Sequence, residues 1–178
     1  MIQQFRDDMM TSYVLFICEG GAEDTILRML MEAGCLLCSN ESIVGISRRR
    51  KAREIEHQYL TIDYERKLVL IRLVDSRRER FHLSPLFRDR YPVYTVLTSP
   101  EIEKLVIINE GRLSDYNKVK SRMSPSDFCK TTLGLGEIKR PGYLEEYWNP
   151  KDLKKAITEC KEISNIRHGE LCLADILK

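Results

Sequence analysis

The stretch Tyr13-Val-Leu-Phe-Ile-Cys18, followed at once by Glu19-Gly-Gly21, decides the fold of this chain. Its six consecutive apolar, β-prone residues predict a strand that is buried on both faces. Residues 22–33 then carry apolar side chains at helical spacing, with Glu23 and Asp24 in the first turn, where acids favour the positive end of the helix dipole. A strand, a glycine turn and an amphipathic helix are the opening unit of a doubly wound sheet.

The rest of the chain continues this alternation. Residues 68–74 are the strongest predicted strand, and weaker strands are predicted at 42–46, 92–97 and, as the weakest, 171–173. Helices are predicted at 48–60, at 100–109, from 125 onward and from 150 to 163, with a glycine-bearing loop at 133–142. The order predicts an α/β fold with a mainly parallel sheet and flanking helices. We expect a single domain over residues 1–178, with a core over 12–110 and a helical extension over 111–178.

The composition is that of a globular chain. Of 178 residues, 43% are hydrophobic and 31% are charged, which argues against intrinsic disorder. No apolar run approaches the roughly 18 residues that a membrane span needs, and the N-terminus lacks a signal-peptide pattern. We therefore expect a cytoplasmic protein with no membrane partner. In a reducing compartment, its six cysteines are interpreted as small buried hydrophobes.

Positive charge is concentrated in the middle of the chain. Residues 48–90 carry thirteen Lys or Arg against seven Asp or Glu, whereas the whole chain has a net charge of only +2. Arg48-Arg49-Arg50-Lys51 and Arg77-Arg78 are candidate phosphate contacts for nucleic acid, through electrostatic attraction without reading of sequence. An ordinary solvated surface explains the same charges, and the sequence leaves both interpretations open.

A carboxylate follows each of the two clearest strands. Glu19 comes after the first strand and Asp75 after the strand at 68–74. Ligands of open α/β sheets bind beyond the carboxyl ends of the strands, so these acids are expected on neighbouring strand ends facing one cleft. Two such carboxylates suit a hard divalent cation, which prefers oxygen ligands and keeps several waters. Polar residues also end strands routinely, because the chain reaches solvent there.

Three segments together resemble a known family. Residues 16–23, a strand end running into Glu-Gly, resemble the first motif of TOPRIM domains, and residues 68–75 resemble the second, a hydrophobic strand that ends in Asp. Residues 98–105, Thr-Ser-Pro-Glu-Ile-Glu-Lys-Leu, are similar to the third segment of RloB-like and OLD-type TOPRIM nucleases of bacterial defence and mobile elements. The three segments occur in the order that the family has.

The resemblance implies a Rossmann-like sheet with a Mg²⁺-dependent nuclease site, in which Glu19, Asp75 and Glu103 are the catalytic acids. Glu19 and Asp75 would also be metal ligands. The family's second motif carries Asp-x-Asp, but this chain has Arg77 in place of the second Asp. Glu79 is the candidate replacement ligand. The alternative is a non-catalytic nucleic-acid-binding or protein-binding module with a degenerate site, the partner of an ATPase.

Overall fold

Five parallel strands form one sheet in the computed structural model of the chain. They are β1 (Tyr13–Cys18), β2 (Ile43–Ser47), β3 (Leu68–Val74), β4 (Val93–Leu97) and β5 (Leu171–Cys172), in the order β2-β1-β3-β4-β5. The structure describes residues 1–75, 77, 80–98, 102–138, 140, 142–148, 150–163 and 166–178, apart from the side chains of residues 150 and 151. The predicted α/β fold class is confirmed, and the four strand pairings among these residues are all parallel.

Helices cover both faces of the sheet. They are α1 (Ile2–Thr11), α2 (Gly21–Glu32), α3 (Ala52–Ile55), α4 (Pro85–Arg88), α5 (Ile102–Asn109), α6 (Leu113–Val119), α7 (Pro125–Thr131), α8 (Tyr143–Tyr147) and α9 (Pro150–Ile163). A five-residue π-helical segment, Glu56–Leu60, directly continues α3. Within the described ranges, no helix combines the length and the apolar character that crossing a bilayer requires.

The two faces of the sheet bury cores of different size. Alternate residues of β1 point to opposite sides, as in any strand. Phe16 belongs to the larger core, which includes buried residues of α1, α2, α5 and α9. Leu15 belongs to the smaller core with Ile55, Leu60 and Tyr91. Because both faces are covered, β1 and β3 are apolar in nearly every residue, which is the pattern that made them recognisable.

The helix predicted at 48–60 begins four residues later than expected. Residues 48–51 have no helical structure, and Lys51 is extended with φ −83° and ψ 127°. The Arg50 guanidinium holds this segment against the end of β1, where both its Nε and its Nη2 donate to the Glu19 carbonyl oxygen. A tertiary contact therefore overrides the local helical spacing.

The residues predicted as a helical extension also complete the sheet. β5 pairs with the last residues of β4, and α9 packs against α5. The buried Asp175 accepts a hydrogen bond from Lys161 Nζ at 2.6 Å and another from the Cys172 backbone at 2.8 Å, which joins α9 to β5. Residues 111–178 thus contribute a strand, and not helices alone, to the common core.

Candidate functional site

A cleft of about 490 Å³ opens at the carboxyl ends of the strands. β1 and β3 are neighbours in the sheet. The connection after β1 runs to β2 on one side of this pair, and the connection after β3 runs to β4 on the other side. This divergence is the topological switch point, where open α/β sheets bind their ligands. The cleft is lined by Glu19, Gly20, Gly21, Ala22, Glu23, Asp24, Thr25, Arg48, Arg50, Asp75, Arg140 and Leu144.

Glu19 lies directly after β1 and is held by contacts on both of its carboxylate oxygens. Its side chain is 11% exposed. Oε2 accepts a hydrogen bond from the Asp75 backbone N–H at 3.1 Å, and Oε1 lies 3.6 Å from Arg50 Nη1. The Glu19 backbone N–H donates to the Leu73 carbonyl at 3.2 Å, which continues the ladder between β1 and β3 by one residue. The carboxylate is therefore fixed in direction before any ligand arrives.

Asp75 follows β3 and is exposed at the same cleft. Cys18 pairs with Leu73 in the sheet, so the residues that follow them leave neighbouring strand ends. The predicted adjacency of Glu19 and Asp75 is confirmed. Their catalytic and metal-binding roles stay predictions.

Glu23 is a third carboxylate in the cleft. From the sequence, its only expected role is to interact with the positive end of the helix dipole. Burial raises its pKa above the ordinary value, and the negative charges of Asp75 and Glu19 raise it further, which places the three groups within electrostatic reach of one another. The backbone N–H groups of Glu23 itself and of Gly20 partly offset this rise. A side chain at Gly20 would put its Cβ 2.8 Å from Glu23 Oε2, so glycine leaves room for this carboxylate.

Three arginines from two distant parts of the chain complete the lining that the structure describes. Arg48 and Arg50 come from the segment after β2, and the Arg48 guanidinium lies 3.7 Å from the position that a Cβ on Gly21 would take. Arg140 comes from the predicted loop at 133–142, and its guanidinium also lies 3.7 Å from Glu137. Its part in the site could not be read from the sequence, because no local pattern distinguishes it from other surface charges.

The other predicted nucleic-acid contacts that the structure describes, Arg49, Lys51 and Arg77, lie outside the cleft. Arg49 is exposed and lies 3.9 Å from Glu54, and Lys51 is exposed at the start of α3. Arg77 donates two parallel hydrogen bonds to Glu170, from Nε at 2.8 Å and Nη2 at 2.9 Å. This pairing lowers the pKa of Glu170 to about 2 and ties the turn after β3 to the approach to β5. Arg78 falls outside the described residues.

The other two predicted acids have different outcomes. Glu103 lies in the first turn of α5 and is buried, with 2% exposure. Its backbone carbonyl accepts a hydrogen bond from Cys129 Sγ at 3.5 Å, and it is not among the described residues that line the cleft. Glu79 falls outside the described residues, so its position as a substitute ligand stays a prediction.

The described carboxylates fit one kind of cation site. In the described part of the chain, no group of three or more His, Cys, Asp or Glu side chains is arranged to hold a metal ion, which argues against an all-protein cage there. Mg²⁺ is commonly bound through one or two carboxylates, with waters and substrate phosphates supplying the other ligands. Glu19 and Asp75, on adjacent strand ends in an open cleft, fit a site in which two carboxylates hold the ion and waters or phosphates complete its ligands.

The chain was compared with protein families, curated proteins and solved structures. No protein-family model, no curated protein and no solved structure matches this chain.

Proposed function

We propose that this chain is a Mg²⁺-dependent phosphoryl-transfer protein that acts on nucleic acid, a nuclease of the TOPRIM-like kind found in bacterial defence and mobile elements. The observation that supports the proposal best is the meeting of Glu19 and Asp75 with Arg48, Arg50 and Arg140 in one cleft at the switch point of the sheet.

The charge of the cleft favours a cation as part of the working site. Among the described residues, four acids and three arginines line it. A phosphodiester that enters would be attracted by the arginines and repelled by the carboxylates. Burial raises the pKa of Glu23, and the same repulsion between the acids raises it further. A divalent cation would remove both conflicts, because it neutralises carboxylates and attracts phosphate oxygens.

The residues divide into two roles. Glu19 and Asp75 would hold Mg²⁺, which supplies charge neutralisation at the phosphate and activation of a water. Arg48 and Arg140 would position the phosphate, because guanidinium groups match phosphate oxygens in planar, two-point contacts. The hydrogen bond from the Asp75 backbone keeps Glu19 directed at the same place throughout.

A second function is favoured by one specific contact. Arg50 lies against both the carbonyl and the carboxylate of Glu19, so a guanidinium is already beside the first acid. A protein that binds nucleic acid without cutting it would keep this arrangement, because Arg50 neutralises Glu19 where a metal would otherwise do so. We therefore propose the non-catalytic binding module as the second candidate.

A cleavage assay separates the two candidates. End-labelled single-stranded and duplex oligonucleotides are incubated with the protein in Mg²⁺ or Mn²⁺, with Glu19→Gln as the test variant. Glu32→Gln is the matched control, because this exposed acid lies at the opposite end of α2. The nuclease proposal expects cleavage by wild type and Glu32→Gln, none by Glu19→Gln, and nearly equal binding by all three. Binding without cleavage in either metal supports the binding module, and neither binding nor cleavage at low salt contradicts both.

A further inference from the structure

A second concave surface lies on the other side of the arginine segment. This groove, here named the α3 groove, has a volume of about 570 Å³ and is lined by Arg49, Arg53, Glu54, His57 and Gln58. Every one of these residues except Glu54 is exposed. In the described part of the chain, Arg53 forms no ion pair, and Arg49 reaches only Glu54, at 3.9 Å, where the two side chains are 57% and 42% exposed. Such an exposed pair is weak in water, so both guanidinium groups can turn to an incoming anion.

The α3 groove and the cleft share one wall. Arg48 and Arg50 line the cleft, whereas Arg49, between them, lines the groove. Residues 48–51 are not helical, so consecutive side chains of this segment can lie on opposite sides of it. Consecutive Cα atoms are about 3.8 Å apart, so the two concave surfaces are close enough for adjacent nucleotides of one strand.

The groove's floor has an unusual backbone. His57 and Gln58 lie on the π-helical segment 56–60, and π-helical turns occur frequently at functional sites. Two contacts pin this segment: the Ser84 backbone N–H donates to Glu56 Oε1 at 2.5 Å, and Tyr91 Oη donates to the Leu60 carbonyl at 3.3 Å. The pinned segment presents imidazole and amide groups that can donate and accept hydrogen bonds, beside two guanidinium groups.

We propose that the α3 groove is a second nucleotide subsite, which receives the single strand of nucleic acid that leaves the cleft. This inference rests on the proposed function, because it takes the cleft as the place where the strand first binds. Arg49 and Arg53 bind the backbone phosphates, and His57 and Gln58 contact the base or sugar of the same nucleotide. The strand is single because a concave surface of this size admits a splayed nucleotide, whereas a duplex presents paired bases inside a convex ridge of phosphates.

Fluorescence anisotropy with two lengths of labelled strand tests the subsite. A single labelled nucleotide reaches the cleft alone, and a ten-nucleotide strand reaches both surfaces. Arg53→Ala should weaken binding of the longer strand about tenfold and lower its salt slope by about 0.7, the loss of one phosphate contact on a single strand. It should leave binding of the single nucleotide unchanged. Arg48→Ala should weaken binding of both ligands, and Arg122→Ala, which removes an exposed control charge between α6 and α7, should weaken neither.

The outcomes separate this inference from the proposed function. If Arg48→Ala weakens binding and Arg53→Ala does not, the subsite is wrong and the cleft stands. If Arg53→Ala and Arg122→Ala weaken the longer strand equally, or if duplex binds more tightly than single strand, the subsite is also wrong. If wild type binds no strand, the proposed function itself fails. The assay is run once with DNA and once with RNA. The nucleic acid that binds more tightly is identified as the natural strand, and the effect of Arg53→Ala is expected with that one. Thermal unfolding of each variant confirms that this exposed position leaves the fold intact.

Discussion

At the scale of single residues, the strand-end acids are coupled to one another more closely than their sequence separation suggests. Glu19 and Asp75 lie 56 positions apart, yet the backbone of one donates to the side chain of the other. Glu23 responds to both, because their negative charges add to the effect of burial in raising its pKa. The pKa of Glu23 therefore reports whether the three carboxylates share one cleft.

Removing one of these charges should move the Glu23 pKa in a known direction. In Asp75→Asn, the pKa of Glu23 should fall toward its ordinary value, because a neutral amide no longer opposes its ionisation. The measurement is the pH titration of the Glu23 side-chain carboxyl carbon by NMR. Asp63→Asn serves as the control, since this aspartate is 98% exposed and does not line the cleft. An unchanged Glu23 pKa in Asp75→Asn would place the two carboxylates too far apart to act together.

At the scale of secondary-structure elements, a polar network holds α1, a helix that the sequence pattern did not predict. The buried Asp8 of α1 accepts hydrogen bonds from Lys67 Nζ at 2.7 Å and from Tyr94 Oη at 2.6 Å. Burial acts to raise the pKa of Asp8, but these hydrogen bonds outweigh it and leave the pKa below its ordinary value. Burial and the neighbouring carboxylate raise the pKa of Tyr94 to about 12. The network joins α1 to the beginnings of β3 and β4.

Asp8→Asn should loosen α1 from the sheet. We expect a loss of about 1–3 kcal/mol in the free energy of unfolding at pH 7. The amide has a single acceptor oxygen, so it cannot replace the two carboxylate oxygens that accept from Lys67 and Tyr94. A lowered carboxyl pKa stabilises the fold above the unfolded pKa of about 3.8, and this contribution is lost as pH falls through the folded value. The variant should therefore lose less stability than wild type between pH 5 and about pH 2.

Urea unfolding at both ends of that pH range measures the effect. Asp7→Asn is the matched control, because the side-chain-mediated hydrogen bonds of this neighbouring residue in the described part of the chain join it to Gln3 and Thr11 of α1 itself. It should stay within about 0.5 kcal/mol of wild type. Identical acid sensitivity in Asp8→Asn and wild type would show that another group governs acid unfolding.

The elements that the sequence predicts are those whose signal is local. β1 and β3 are apolar in nearly every residue because both faces of the sheet are covered, and Ser124 caps α7 as its position before Pro125 indicates. α1 gave no such signal, because its attachment depends on Lys67 and Tyr94, which lie 59 and 86 positions away from Asp8. The same holds for the site: the strand-end acids follow from strand boundaries, whereas the place of Arg140 depends on how the C-terminal third packs.

At the scale of the whole molecule, the C-terminal third belongs to the core. Leu105 and Ile107 of α5 are buried in the same cluster as Leu153 and Ile157 of α9. The edge of the sheet beyond β4 is covered by β5, which comes from the last eight residues of the chain. The boundary near residue 110 is thus one of sequence pattern and not of packing.

The fragment 12–110 should therefore fail to fold alone. It would expose the face of α5 that α9 covers and leave the edge of β4 unpaired, which costs more than a small domain's margin of roughly 5–15 kcal/mol can absorb. Circular dichroism with urea should show a cooperative transition for the full chain and none for the fragment. A cooperative transition in the fragment would make residues 111–178 a separable extension.

The most direct test of the central claim, that the cleft is a divalent-cation site for nucleic-acid chemistry, is a crystal soak with Mn²⁺ and anomalous diffraction. We predict an anomalous peak within about 2.1 Å of carboxylate oxygens of Glu19 and Asp75, with waters as the other ligands. Crystals of Asp75→Asn soaked in the same way should lack that peak. A wild-type cleft with no peak, with Arg50 still against Glu19, would contradict the metal site, and so would a peak that survives in Asp75→Asn.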